Sequence, residues 1–156
     1  MTTTTSLPGA VDAMVRLNGH LATVPSGVST FSREELLQKP GPGKWSKQEI
    51  LGHLIDSAIN NLRRFTEIQF LPQPFTVVGY RQEELVQVNQ YQVQSPEHLL
   101  NLWGALNRQV IQVVTCIPED KLSYIVIIKS GESMTLDWLI VDYVDHLEHH
   151  LRQIFG

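Results

Sequence analysis

Apolar residues return at helical intervals over four long stretches of this chain. Val11, Met14, Val15, Leu17 and Leu21 mark the first, across residues 7–22, and Pro25-Ser26-Gly27 is expected to end it. Ser32 opens a short turn of helix with Glu35 at the capping-box position. A breaker cluster follows, Lys39-Pro40-Gly41-Pro42-Gly43-Lys44. Ser46-Lys47-Gln48-Glu49 is a second capping box and opens a long helix. Leu51, Leu54, Ile55, Ala58, Leu62 and Phe65 share one face of it, and its end is predicted near Phe70, before Pro72 and Pro74.

Residues 72–94 form a long connection, with one short helix predicted over Gln82–Val88. A connection of that length in a compact protein serves the function or covers something. Ser95 and Pro96 are the N-cap and first residue of a third helix, with Leu99, Trp103, Leu106, Val110, Val113 and Ile117 along its apolar stripe. Tyr124–Ile128 is short and β-branched, and reads as a small strand or extended arm rather than part of a sheet. Thr135 caps a last helix that runs to about Ile154. The fold class expected is all-α: a four-helix bundle with a short extended segment before the last helix.

Composition narrows the function. The chain has 156 residues, 42% of them hydrophobic and 18% charged, with a formal net charge of −4. That length fits one domain, residues 1–156. A mildly acidic chain without a basic run speaks against nucleic-acid binding and against a surface for anionic lipid. Cys116 is the single cysteine, which excludes an internal disulfide and a cysteine-based zinc site. On the flank of an apolar helix it reads as a small core residue. The threonine-rich start lacks the features of a secretory signal, and no apolar run is long enough to span a membrane, so a cytoplasmic protein is expected.

There are six histidines, and three lie in the last eleven residues. In the last helix Leu136, Leu139, Ile140, Tyr143, Val144, Leu147, Leu151 and Ile154 define the apolar stripe. Advancing about 100° per residue, His146 and His150 fall along the edge of that stripe, and His149 points away. Spacing i, i+4 stacks two imidazoles one turn apart, close enough to share an ion. In the second long helix His53 lies on a polar stripe with Ser57, Asn60 and Arg64, residue types able to line a pocket. If these two helices are neighbours, His53 can meet His146 and His150. Three imidazoles leave an ion with open positions, as catalytic sites do. The plain structural alternative is a chance H-x-x-x-H pair and a solvated His53. His20 and His98 read as structural or exposed.

The zincin arrangement is missing, since Leu147 rather than Glu follows His146 and Glu148 falls on the opposite face. No histidine has a Glu three residues before it, so the di-iron bundle pattern is missing too. No dinucleotide or P-loop glycine pattern is present.

Two segments carry a family resemblance. Pro42-Gly43-Lys44-Trp45-Ser46, followed by Glu49-Ile50-Leu51-Gly52-His53-Leu54-Ile55-Asp56-Ser57 with Asn61, Arg64 and Phe65, resembles the second-helix signature of the DinB-like (YfiT-type) family. Asp142-Tyr143-Val144-Asp145-His146-Leu147-Glu148-His149-His150-Leu151-Arg152-Gln153-Ile154 resembles its last helix. The resemblance implies a four-helix bundle, often a homodimer, with one divalent metal ion held by His53, His146 and His150. It also implies a thiol-dependent S-transferase or a metal-dependent hydrolase.

A bound Zn²⁺ or Ni²⁺ would acidify a water or bind the thiolate of a low-molecular-weight thiol. Asp142, one turn before His146, and Asp56, three residues after His53, are candidates to fix imidazole tautomers. Asn60 and Arg64 could orient an anionic substrate, and Gln153 could contact a ligand. The alternative class is a metal-carrying or dimerising bundle without turnover. An open pocket beside the ion would discriminate between them, as would a fourth protein ligand sealing it.

Overall fold

The structure, a computed structural model, describes residues 8–156. The threonine-rich start lies outside them. Four helices of about twenty residues form the bundle: α1 (Gly9–Val28), α3 (Lys47–Glu67), α5 (Pro96–Thr115) and α6 (Leu136–Phe155). Two short helices, α2 (Arg33–Leu37) and α4 (Gln82–Val88), lie in the connections. α3 packs chiefly on α5 and also on α6, while α1 packs on α6 and α5. Leu17, Leu54, Ile55, Phe65, Leu99, Trp103, Leu136, Ile140 and Leu147 fill the centre.

Local chemistry sets the helix starts. Ser32 with Glu35, and Ser46 with Glu49, form the two reciprocal capping boxes. Ser95 and Thr135 accept from His98 N and Trp138 N. α1 has no capping side chain of its own. Its first donors, Gly9 N and Ala10 N, instead reach the Asp137 carboxylate at 3.2 and 2.8 Å, which ties α1 to the start of α6. Pro25 does not end α1, contrary to the pattern-based expectation; the helix runs on to Val28. Pro25 forfeits one backbone donor, but Val24 and Val28 are buried, and that packing holds the last turn in place.

The extended segment is also more than an arm. β1 (Phe75–Thr76), β2 (Ile125–Ile127) and β3 (Ser133–Thr135) make a three-stranded sheet in that order. β1 runs parallel to β2, with Phe75 opposite Val126, and β3 runs antiparallel, with Met134 opposite Val126. Strands of two and three residues carry too little alternation to be read as a sheet. Cys116 is exposed at the C-cap of α5, not in the core, because α5 stops at Thr115.

The connection 72–94 lies across α3, with α4 and a 3-10 turn at Tyr91–Val93 against that helix. Gln48 Nε2 donates to the carbonyls of Tyr91 and Gln94 at 2.6 and 2.8 Å, and Ser46 Oγ donates to Gln92 Oε1 at 2.6 Å. No helix among the described residues is long and apolar enough to cross a membrane.

Candidate metal centre

α3 is the buried spine of the molecule: every residue from Gln48 to Ala58 is buried. The polar stripe read from its sequence therefore turns inward, not toward solvent. His53 is fully buried and Ser57 nearly so, while Asn60 and Arg64 are half-buried. α6 is one-sided, as its pattern predicts, with His146 and His150 half-buried at the stripe edge and His149 exposed.

The two helices pack together, and three imidazoles converge. His53 Nε2 lies 3.4 Å from His146 Nε2, which lies 3.1 Å from His150 Nε2. One ligating atom from each of the three falls within 4.8 Å of the others. Two nitrogens about 2.0–2.1 Å from one tetrahedral ion stand about 3.3 Å apart, so the spacing suits a shared ion. The ring planes stand nearly perpendicular, at 74° to 79°.

The electrostatics suit a cation as well. Ligating imidazoles must be neutral. Burial, then the neighbouring His150 and His146, lowers the His53 pKa to about 3. Burial, then His150 and His149, lowers that of His146 to about 4. Burial also lowers His150, against a raising hydrogen bond from Gln153. That bond, His150 Nδ1 to Gln153 Oε1 at 2.8 Å, puts the ring proton on Nδ1 and leaves Nε2 free to ligate. The donor set thus fits a borderline divalent ion.

The trio is not sealed. Trp45 lies over His53 with ring centroids 4.8 Å apart, and its Nε1 donates to Glu83 of α4 at 3.1 Å. Beside it opens a cleft of about 640 Å³, lined by Trp45, His150, Gln153, Lys44, Ile50 and Glu83 among others. Trp45 and Glu83 are not among the site residues that the sequence pattern predicts. The Pro-Gly-Lys-Trp run before the Ser46 cap is the available signal for Trp45; Glu83 has none.

The remaining candidates fall elsewhere. Asp56 is buried but accepts from Tyr91 Oη at 2.6 Å and Asn89 Nδ2 at 3.3 Å, not from His53. Burial raises its pKa, against the Tyr91 bond. Asp142 is exposed, and among the described residues it makes no hydrogen bond to His146. Partial burial and then Asp145 raise its pKa. Asn60 Nδ2 donates to the Asp56 carbonyl. Arg64 is spent on structure: it donates to Asn61 Oδ1 and the Val78 carbonyl and sits over the Tyr80 ring. Glu148 faces away from the trio, pairing with His20 at 2.9 Å and with Arg16.

The DinB superfamily profile matches residues 16–154. YfiT from Bacillus subtilis, described as a probable metal-dependent hydrolase with an unusual four-helix bundle topology, has a similar structure. Its TM-score is 0.83 at 18% identity, over 93% of this chain and 83% of that one. A mycothiol-dependent maleylpyruvate isomerase is similar at TM-score 0.66 and 14% identity, over 91% of this chain and 59% of its own. A histidine-to-alanine variant of that isomerase gives 0.70 and 13% over the same shares. Among curated protein sequences, none matches this chain. At these identities the structural likeness is one of fold.

Proposed function

The chain belongs to the DinB superfamily, and from that premise we propose that it is a small metalloenzyme of the thiol S-transferase type, in which a low-molecular-weight thiol adds to the substrate through its sulfur. His53, His146 and His150 would hold one divalent ion, Zn²⁺ or Ni²⁺. The observation that carries this reading is the pairing of three converging imidazoles with an open, substrate-sized cleft. A purely structural ion would be closed off by a fourth protein ligand, and the group gathers only three side chains among the described residues. An ion on three neutral ligands keeps its full charge and supplies a centre that favours an anion such as hydroxide or thiolate.

The chain's own residues prepare the rest. Gln153 fixes the His150 tautomer, Trp45 shields His53 from water, and Lys44 gives the cleft wall a cation for an anionic substrate group. Among the described residues no carboxylate joins the histidine group: Glu148 is turned to His20, Asp56 to Tyr91, and Glu83 of the cleft wall to Trp45. Water activation would then rely on the ion alone, whereas a thiolate needs no further base once bound. This favours a low-molecular-weight thiol as partner, and the likeness to a mycothiol-dependent isomerase supports it. Hydrolysis is the second reading, supported by the likeness to YfiT. The reading takes residues 1–156 as one domain of a cytoplasmic homodimer, with no nucleic-acid or membrane partner, in keeping with the net charge of −4. Light scattering and cell fractionation check those two properties.

A small thiol titrated into the cobalt-substituted protein is expected to give a sulfur-to-metal charge-transfer band. No band, together with metal-dependent cleavage of a generic ester, would replace transfer by hydrolysis.

A further inference from the structure

Three residues of α3 at successive i, i+4 positions, Gln48, Gly52 and Asp56, all serve one residue of the strap across it, Tyr91. Gln48 Nε2 donates to the Tyr91 carbonyl at 2.6 Å. The Tyr91 ring rests on Gly52 so closely that a Cβ there would stand 2.1 Å from its Cδ2. The Tyr91 hydroxyl donates to Asp56 Oδ1 at 2.6 Å. Tyr91 is thus clamped onto the α3 backbone next to His53.

Among the described residues, His53 Nδ1 and Asp56 Oδ2 are both buried without a hydrogen-bond partner. They sit one turn apart on the same side of α3. Ligation through Nε2 requires the His53 proton on Nδ1, and ligating imidazoles pass that proton to a carboxylate, carbonyl or water. The other buried acceptor without a partner, Gln48 Oε1, is five residues earlier, on a different side of the helix. Asp56 Oδ2 is the unpartnered buried carboxylate oxygen on that side of α3; it makes no hydrogen bond to His53 in this structure, while Oδ1 keeps the Tyr91 hydroxyl.

We propose that Tyr91 and Asp56 form a positioning link, through which seating of the 82–94 strap and ion binding at His53 strengthen each other. This rests on the three-histidine ion site proposed above. A second connection acts in the same sense: Glu83 of the strap holds Trp45, whose ring lies on His53. Tyr91 touches neither ion nor substrate; it acts through Asp56.

The test uses Zn²⁺ alone, on the full chain, with two readouts. Chelator competition gives the Zn²⁺ affinity, and hydrogen exchange gives the protection of residues 82–94 with and without Zn²⁺. In the unaltered protein Zn²⁺ is expected to slow exchange across the strap. Tyr91→Phe keeps the ring on Gly52 and removes only the hydroxyl. It should weaken Zn²⁺ by about tenfold or more and abolish the Zn²⁺-dependent protection. Asp56→Asn, which keeps the side-chain shape, should do the same. Val110→Ala, a core truncation in α5, should lower Tm and leave both readouts unchanged. Unaltered affinity and protection in Tyr91→Phe and Asp56→Asn, with Zn²⁺ bound by the parent, would overturn the link and leave the ion site standing. No Zn²⁺ bound by the parent protein would overturn both.

Discussion

α6 and α3 each contribute to the histidine centre, yet they hold it in opposite ways. α6 is amphipathic, and its His146 and His150 emerge at the margin of an apolar stripe while Asp142, Asp145 and His149 face solvent. The first part of α3, Gln48–Ala58, is enclosed by α5, α6 and the strap, so its polar residues lie inside and depend on neighbours there, while Ile59, Arg63 and Thr66 further on are exposed. A helix with one wet side tolerates change on that side. An enclosed stretch answers for its side chains to its neighbours.

The largest contrast is expected from Gly52→Ala in α3. A methyl group 2.1 Å from the Tyr91 ring cannot fit, so the strap must lift. Overpacking of this kind costs about 2–3 kcal/mol, read as a lowered denaturation midpoint. A variant as stable as the parent would mean that the strap is not seated on α3.

The caps sharpen the same contrast. Ser46 Oγ accepts from Glu49 N and also donates to Gln92 of the strap, whereas Thr135 only accepts from Trp138 N. Ser46→Ala should therefore cost roughly 2 kcal/mol and Thr135→Ala roughly 1 kcal/mol. Equal losses in urea unfolding would remove the distinction.

Acid should expose the buried histidines. In the ion-free fold His53 sits at about 3 and His146 at about 4, against 6.5 for the free side chain. As pH falls the unfolded chain takes up protons first. The stability that comes from burying these rings neutral is complete above about pH 6.5 and drains away down to their folded pKa values. Thermal unfolding at about pH 7.5, 6 and 5 should show a falling Tm, with a shallower slope in His53→Gln. Parallel slopes in the two proteins would place the effect elsewhere. The smallest effect belongs to the wet side of α6: Asp142→Asn should shift stability by less than about 0.5 kcal/mol. A larger loss would show that Asp142 does more than face solvent.

The same difference decides what could be read from sequence. On α6 helical phase alone separates His146 and His150 from His149, because one face is wet. On α3 the phase argument sets His53, Ser57 and Asn60 apart from the apolar stripe but cannot tell a solvated stripe from a buried one. The capping boxes at Ser32 and Ser46 and the short helix Gln82–Val88 are legible because their signals are local. Trp45 reaches over His53 from outside α3, and Tyr91 meets Asp56 from far along the chain, so helical phase announces neither contact. Pro25 misleads because packing of Val24 and Val28 outweighs one missing donor. The small sheet escapes because its strands are held by pairing rather than by alternation.

The central claim is that one divalent ion joins the buried helix to the amphipathic one through His53, His146 and His150. Zn²⁺ titration against a chromophoric chelator, run on the parent protein and four single alanine variants, tests it most directly. The account predicts one ion per chain in the parent and in His149→Ala, and loss of that ion in His53→Ala, His146→Ala and His150→Ala. Equal ion content in all four variants would contradict it.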